Sequence, residues 1–186
     1  MRGQRDHRRK RKEGGMQPVE VYCKEALETG MDGAKVIDPR SVITAEWVRM
    51  KCQYGCTGFG TSLCCPPRSP TPEITLKVID SYQKVILLHR RLPKGEKAKS
   101  FTEAIVDLEI KIFLDGYYKA WSMGSGPCRL CKECNLTSCK NGLKARPSME
   151  ACGIDVFKTA RDNGFLIEVI KGHGEERNVY GLILVE

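Results

Sequence analysis

The sequence predicts a single α/β domain with a mixed sheet, helices and cysteine-rich metal-binding loops. Helical and extended segments alternate along the chain, and two extended segments follow each other near its C-terminal end. This order is typical of a domain in which helices cover a sheet. The chain has 186 residues, and 10 of them are cysteines. A chain of this length can bury a sufficient core without disulfides, so we expect the cysteines to bind metal or take part in redox chemistry.

The helices are predicted from apolar residues spaced three and four apart and from capping residues. Thr71 can cap a helix that has Pro72 in its first turn, and Ser100 and Glu103 form the ends of a capping box. Gly30, Gly116 and Gly164 are placed where helices would end. The predicted helices cover residues 18–29, 72–82, 100–116 and 148–164.

The strands are predicted from short apolar or extended segments between these helices. The clearest is the apolar run of residues 84–90, which is typical of a buried strand. The other extended segments expected are residues 34–37, 47–52, 118–123, 165–170 and 180–186, the last two as a terminal strand pair. Both main cysteine groups follow extended segments, so we expect both to lie on loops held by a rigid sheet.

The positive charge of the chain is concentrated in its first 15 residues. The formal net charge is +8, but residues 1–15 alone carry +5 and residues 16–186 only +3. The composition of residues 1–15 predicts a disordered basic leader, with Met16 as an alternative start. Its Lys/Arg run gives only a weak indication of binding to RNA or anionic lipid. The longest apolar runs are only about four residues, so we expect a cytoplasmic protein without a membrane span.

The second cysteine group carries the more specific signal. Cys128, Cys131, Cys134 and Cys139 follow the spacing C-x2-C-x2-C-x4-C. Three cysteines at two-residue intervals can surround one corner of a 4Fe–4S cluster. Zinc with four thiolate ligands is the alternative, but zinc sites more often pair two C-x2-C units across a dozen or more residues. Basic residues could offset the negative charge of such a centre: Arg129, Lys132, Lys140, Lys144 and Arg146.

The first cysteine group is less specific in its spacing. Cys52 and Cys56 are followed by the adjacent pair Cys64–Cys65 and by two prolines. A cysteine followed by proline is also the remote ligand of bacterial ferredoxin motifs. Neighbouring side chains point in different directions, so we expect one of the pair to be a ligand of this group and favour Cys65. Packed free thiols are the alternative for this group.

The number of cysteines leaves the number of clusters open. Cys52, Cys56, Cys65 and the four of the second group make seven candidate ligands, one fewer than two fully ligated 4Fe–4S clusters require. Cys64 or Cys152 could be the eighth. Alternatively a water, substrate or partner fills an open iron position, or only one cluster is bound.

The remaining candidates for chemistry are expected to be structural. Cys23 lies on the apolar face of the first predicted helix, and Cys152 is interpreted as a core thiol more readily than as a ligand. His89 is expected inside a strand and His173 in a solvated loop. No phosphate-binding loop and no dinucleotide-binding fingerprint is present in the sequence.

These motifs together resemble one family. Six motifs follow one another along the chain in this order: K-C-x3-C, C-P-P, P-T-P, the C-x2-C-x2-C-x4-C group, R-P-S-M-E-A and G-I-D-V. The chain from about residue 19 onward is similar to the prokaryotic predicted metal-binding proteins, known as domain of unknown function 2284. The resemblance implies a metal-binding domain of iron–sulfur type, found in anaerobes, without a settled reaction. It matches the seven candidate ligands and leaves Cys64 and Cys152 outside the set.

Three functions are compatible with the sequence. The first is a carrier or redox adaptor with one or two 4Fe–4S clusters, which transfers electrons to a partner protein. The second is an iron–sulfur enzyme in which Cys52, Cys56 and Cys65 hold a cluster with one open iron, for sulfur transfer or Lewis-acid chemistry. The third is a zinc-stapled module for protein interaction or RNA binding. We expect the first, because the spacing is ferredoxin-like.

Overall fold

A four-stranded antiparallel sheet organises the domain. The computed structural model describes residues 16–172 and 174–186, so the leader and His173 lie outside the described residues. The strands stand in the order β1-β2-β4-β3. They span β1 Gly33–Ile37, β2 Val85–Leu92, β3 Trp121–Met123 and β4 Arg177–Leu184. Each neighbouring pair is antiparallel.

Within the residues that the structure describes, five α-helices accompany the sheet. They are α1 Val19–Glu28, α2 Glu46–Gly55, α3 Pro72–Ile79, α4 Lys99–Leu114 and α5 Val156–Asp162. Two short 3-10 helices lie at Pro39–Ser41 and Glu150–Cys152. None of the helices in the described part of the chain combines the length and apolar character needed to cross a bilayer.

The apolar run of β2 builds two cores, because alternate residues of a strand point to opposite faces. Ile86 and Leu88 contribute to the core that contains α1 and α4 residues such as Tyr22 and Phe101. Val85 and Leu87 contribute to the other core, which contains Ile79 of α3 and Ala160 of α5. The expected single α/β domain is confirmed, with helices on both faces of the sheet.

Several expectations about the elements were wrong. The sheet is not mixed: in the described residues, parallel pairing occurs only as the isolated bridge between Gly124 and Ser148. Residues 47–52 form part of α2 instead of a strand, with only Val48 buried in the core. The capping box does not cap α4, whose N-cap is Ala98 without a side-chain hydrogen bond.

Residues 165–170 do not form the expected strand, because their backbone carbonyls serve other groups. The Tyr180 hydroxyl donates to the Leu166 carbonyl at 2.5 Å, and Arg161 donates to the Ile167 carbonyl at 3.1 Å. The expected helix from Ser148 is also interrupted, since Gly153 has φ +79° and Pro72 occupies the space where a Cβ would lie. This break separates the 3-10 turn at Glu150–Cys152 from α5.

Candidate metal centre

The first cysteine group lies at the end of α2 and in the loop that follows it. Cys52 lies in the last turn of the helix, and Cys56 is the first residue after the C-terminal end of the helix. Arg49, one turn before Cys52, donates to the Ser69 hydroxyl at 2.9 Å and to the Ala151 carbonyl at 2.8 Å. This side chain therefore joins α2 to the cysteine loop and to the 3-10 turn at Glu150–Cys152.

The loop between Cys56 and Ser69 is held by its own backbone bonds. Gly60 N donates to Pro66 O at 2.7 Å, and Arg68 N donates to Cys65 O at 3.0 Å. The Pro66–Pro67 peptide bond is cis. The loop turns back on itself, so that the Cys65 side chain approaches Cys56, which lies nine positions earlier in the sequence.

Cys52, Cys56 and Cys65 line the same cavity, which we call the first cavity and which has a volume of about 490 Å³. A Cβ placed on Gly58 would lie 3.4 Å from Cys56 Sγ and 3.8 Å from Cys65 Sγ. A side chain at this position would enter the space beside the two sulfurs, so glycine keeps that space open. The Cys52 Sγ faces the Glu150 carbonyl at 3.8 Å.

The Glu150 side chain belongs to the wall of the first cavity. Its Oε2 atom is buried and has no hydrogen-bond partner among the described residues. Burial raises the pKa of this carboxyl above its ordinary value, because desolvation disfavours the charged form. The residue that approaches the Cys52 sulfur with its backbone carbonyl thus also carries a buried carboxyl.

The second cysteine group lies on a loop whose two ends meet at the sheet edge. The loop leaves β3 at Gly124 and returns at Pro147 and Ser148. Gly124 N donates to Pro147 O at 2.9 Å, and Met149 N donates to Gly124 O at 3.1 Å. Ser148 Oγ then accepts from Ala151 N at 3.1 Å and so begins the 3-10 turn.

A buried ion pair fixes the C-terminal end of this loop to α4. Arg146 donates to both carboxylate oxygens of Glu109, at 2.7 and 2.5 Å. The same carboxylate accepts from the backbone N–H of Ser122 at 2.9 Å and from its hydroxyl at 2.5 Å. Arg146 was expected to offset the charge of a metal centre, and the structure instead pairs it with Glu109.

Five cysteines line the second cavity, a small space of about 30 Å³. They are Cys64, Cys128, Cys131, Cys134 and Cys139. Four of them are the predicted group, and Cys64 comes from the first cysteine loop. Asn141 Nδ2 donates to Cys131 Sγ at 3.0 Å. Cys131 and Cys139 are exposed, so this cavity is close to the protein surface.

Cys64 and Cys128 interact directly through their side chains. A hydrogen bond between them lowers the pKa of the Cys128 thiol and raises that of the Cys64 thiol well above its ordinary value. Cys64 N also donates to Ser62 Oγ at 3.2 Å, which fixes the backbone at this position. Sequence reasoning placed Cys64 in the first group, because a contact between residues 64 and 128 has no signal in the local spacing.

The other two cysteines are packed with apolar residues. Cys152 is fully buried in the core with Met149 and Ile154, and burial raises the pKa of its thiol to about 12. Cys23 is half-buried against the other core. His89 bonds Asn178 Oδ1 at 2.9 Å and stacks on the Tyr180 ring, as expected of a structural histidine.

The donor set fits a thiolate-ligated metal group. Cysteine thiolates are the ligands preferred by iron–sulfur clusters and are also common ligands of zinc. Each of the seven predicted ligands lines one or the other of the two cavities. Within residues 16–172 and 174–186, no three Cys, His, Asp or Glu side chains converge as a single-ion site.

Comparison with known proteins identified a family. Residues 35–185 match the sequence profile of the family described as "Predicted metal-binding protein (DUF2284)". The match includes both cysteine loops and all four strands except the first two residues of β1. The comparisons with curated proteins and with solved structures found no match.

Proposed function

Because the chain belongs to the DUF2284 family of predicted metal-binding proteins, we propose that it is an iron–sulfur protein that binds 4Fe–4S clusters and transfers electrons as a carrier or redox adaptor. The observation that carries this proposal is the grouping of eight thiols around two neighbouring cavities. Family membership supports metal binding in general, and the thiol arrangement supports the choice of iron and sulfide.

The residues around the second cavity suit a cluster better than they suit zinc. The C-x2-C-x2-C spacing brings closely spaced thiols onto one loop, as in iron–sulfur proteins, and the earlier residue Cys64 adds a thiol from the first cysteine loop. A 4Fe–4S cluster and a tetrahedral zinc site each take four thiolates, so the choice rests on the spacing: zinc sites more often pair two C-x2-C units across a dozen or more residues. A bound 4Fe–4S cluster would supply reversible one-electron chemistry.

The position of the second loop favours exchange of electrons with another protein. Cys131 and Cys139 are exposed, so a group bound there would lie near the surface. Four cations of the loop are exposed as well, and we call them the basic collar: Arg129, Lys132, Lys140 and Lys144. We propose that a redox partner with an acidic surface docks on this collar, because complementary charge raises association rates.

The proposal is tested by reducing anaerobically purified protein with dithionite and recording its electron paramagnetic resonance. A reduced 4Fe–4S cluster gives a resonance that disappears on reoxidation. Stoichiometric zinc without a resonance would contradict the proposal and favour an interaction module.

The basic collar is tested with small oxidants of opposite charge. We expect ferricyanide, an anion, to reoxidise the reduced protein faster than a cationic ruthenium ammine complex of similar potential, and salt to diminish this difference. Lys132→Glu together with Lys144→Glu should slow ferricyanide. The control is Lys24→Glu together with Lys158→Glu, on α1 and α5. Equal rates for both pairs of variants would contradict the role of the collar.

A second function is favoured by the size of the first cavity. Its volume of about 490 Å³ lies within the range of small-molecule sites, and three cysteines line it. An iron–sulfur enzyme with an open iron position would use such a space for a substrate. A cluster resonance that shifts on addition of cyanide or sulfide would support this alternative over the simple carrier.

A further inference from the structure

The two adjacent cysteines of the first loop face different cavities. Cys65 is buried and lines the first cavity, where its Sγ lies near the same Gly58 position as Cys56 Sγ. Cys64 lines the second cavity together with the C-x2-C-x2-C-x4-C group. Two residues joined by one peptide bond therefore contribute their thiols to different cavities.

We propose that Cys64 is the eighth thiolate ligand and belongs to the second centre, by which we mean the cluster bound at the second cavity; the first centre is the cluster bound at the first cavity. This inference rests on the proposed function and extends it to a residue that neither the sequence spacing nor the family match assigns. Cys64 reaches the second cavity from a different segment of the chain and lines it together with Cys131, Cys134 and Cys139. On binding iron, each thiol loses its proton and its sulfur forms the Fe–S bond.

The assignment completes the ligand count of two clusters. With seven predicted ligands, one of two clusters would have only three thiolates. Cys64 raises the number of ligands to eight, which is four for each cluster. Cys128 stands between the two sets: its side chain lines the second cavity, whereas the preceding residue, Pro127, lines the first. Cys64, Cys131, Cys134 and Cys139 then supply the second centre, and Cys128 is positioned to complete the set of Cys52, Cys56 and Cys65.

The proposal also defines how the two centres are linked. The Cα atoms of neighbouring residues are about 3.8 Å apart across a trans peptide bond, so ligands at 64 and 65 hold the two centres side by side. An electron that enters at the exposed second centre would have a direct neighbour in the first. The Cys64–Cys65 pair thus joins the surface loop to the larger cavity.

The test is differential thiol labelling of the metal-loaded protein. Iodoacetamide is added anaerobically to the native protein, the metal is then removed under denaturing conditions, and N-ethylmaleimide labels the thiols that become free. We expect Cys64 to carry N-ethylmaleimide, as do the seven other ligands. Cys23 is half-buried like Cys64 and is the control: we expect its labelling to be the same whether the native protein is loaded or metal-free.

A labelling result in which Cys64 carries iodoacetamide while Cys131 and Cys139 are protected would overturn the proposal. The second readout is iron per chain, which we expect to fall by about half in Cys64→Ala and to stay unchanged in Cys23→Ala. Unchanged iron in Cys64→Ala would also overturn it. If the protein carries zinc without sulfide, the proposed function fails, but the labelling of Cys64 still decides whether this residue is a ligand.

Discussion

Glu109 is the residue on which the position of the second cysteine loop depends most directly. Its carboxylate is almost fully buried and bonds Arg146 through both oxygens, as well as Ser122. Removing one partner of a buried ion pair leaves the other charge without compensation. The cost is therefore much larger than for an ion pair on the surface.

We expect Glu109→Ala to lower the free energy of unfolding by about 3 kcal/mol and to reduce the iron content. The measurement is urea-induced unfolding of the loaded protein, together with iron analysis. Glu103→Ala is the matched control, because Glu103 lies on the same helix in an exposed pair with Lys99 and its loss should cost about 0.5 kcal/mol. Equal losses for the two variants would contradict the anchoring role of Glu109.

Asn141 is expected to tune the second centre through its hydrogen bond to the Cys131 sulfur. Hydrogen bonds to cluster sulfurs favour the reduced, more negative state and so raise the reduction potential. We therefore expect Asn141→Ala to lower the potential of the second centre by tens of millivolts without loss of iron. Redox titration followed by electron paramagnetic resonance measures this change, with the first centre as internal reference. An unchanged potential would show that the bond has no tuning effect.

At the scale of single residues, local spacing indicated the seven candidate ligands, and the structure groups them around two cavities. The same spacing could not indicate the position of Cys64 or the partner of Arg146. Both depend on contacts between residues far apart in sequence: 64 with 128, and 109 with 146. Such contacts are fixed by the packing of whole elements, which a local pattern does not report.

At the scale of elements, Arg49 joins helix α2 to the cysteine loop of the first cavity, where we propose the first cluster (the first centre). The guanidinium bonds the Ser69 hydroxyl and the carbonyls of Pro70 and Ala151. These bonds fix Cys52 on the helix relative to Cys65 in the loop. Without them, the separation of the two sulfurs would depend on the loop alone.

We expect Arg49→Met to lose the iron of the first centre and to keep that of the second, so that iron per chain falls by about half. Methionine retains much of the side-chain length but cannot donate the three hydrogen bonds. Gln53→Met, an exposed position on the same helix, is the control and should keep its iron. Full iron content in Arg49→Met would contradict this role.

The elements themselves were predictable where one physical signal dominated. The apolar run of β2 and the apolar stripe of α4 gave correct elements, and Thr71 caps α3 as predicted, accepting from Ile74 N at 3.4 Å. Helix α2 was mistaken for a strand because Val48 is its only residue buried in the core, which gives no clear helical stripe. Residues 165–170 have a strand-like composition, but the side chains of Tyr180 and Arg161 donate hydrogen bonds to two of their backbone carbonyls.

At the scale of the whole molecule, the cores and the cysteine loops depend on different interactions. Both cores pack on the faces of the sheet and contain none of the eight cysteines around the cavities. The second loop has mostly exposed residues between 129 and 144, so few packing contacts order it between its two ends, and we expect a bound metal group to order it. Metal removal should therefore affect the loops more than the sheet.

We expect metal-free protein to keep its sheet, as seen by circular dichroism, and to become sensitive to trypsin in the second loop. The basic collar supplies the cleavage sites, at Arg129, Lys132, Lys140 and Lys144. Metal-loaded protein should resist cleavage there. Equal cleavage of the two forms would contradict metal-dependent order in this loop, and loss of the sheet would show that the cores need the metal as well.

The most direct test of the two-centre account is the amount of iron and acid-labile sulfide per chain in anaerobically purified protein. Two fully ligated 4Fe–4S clusters require about eight of each, and this is the amount that we expect. About four of each would restrict the protein to one cluster and contradict the second centre. Zinc in place of iron, with no sulfide, would contradict the iron–sulfur assignment of both cavities.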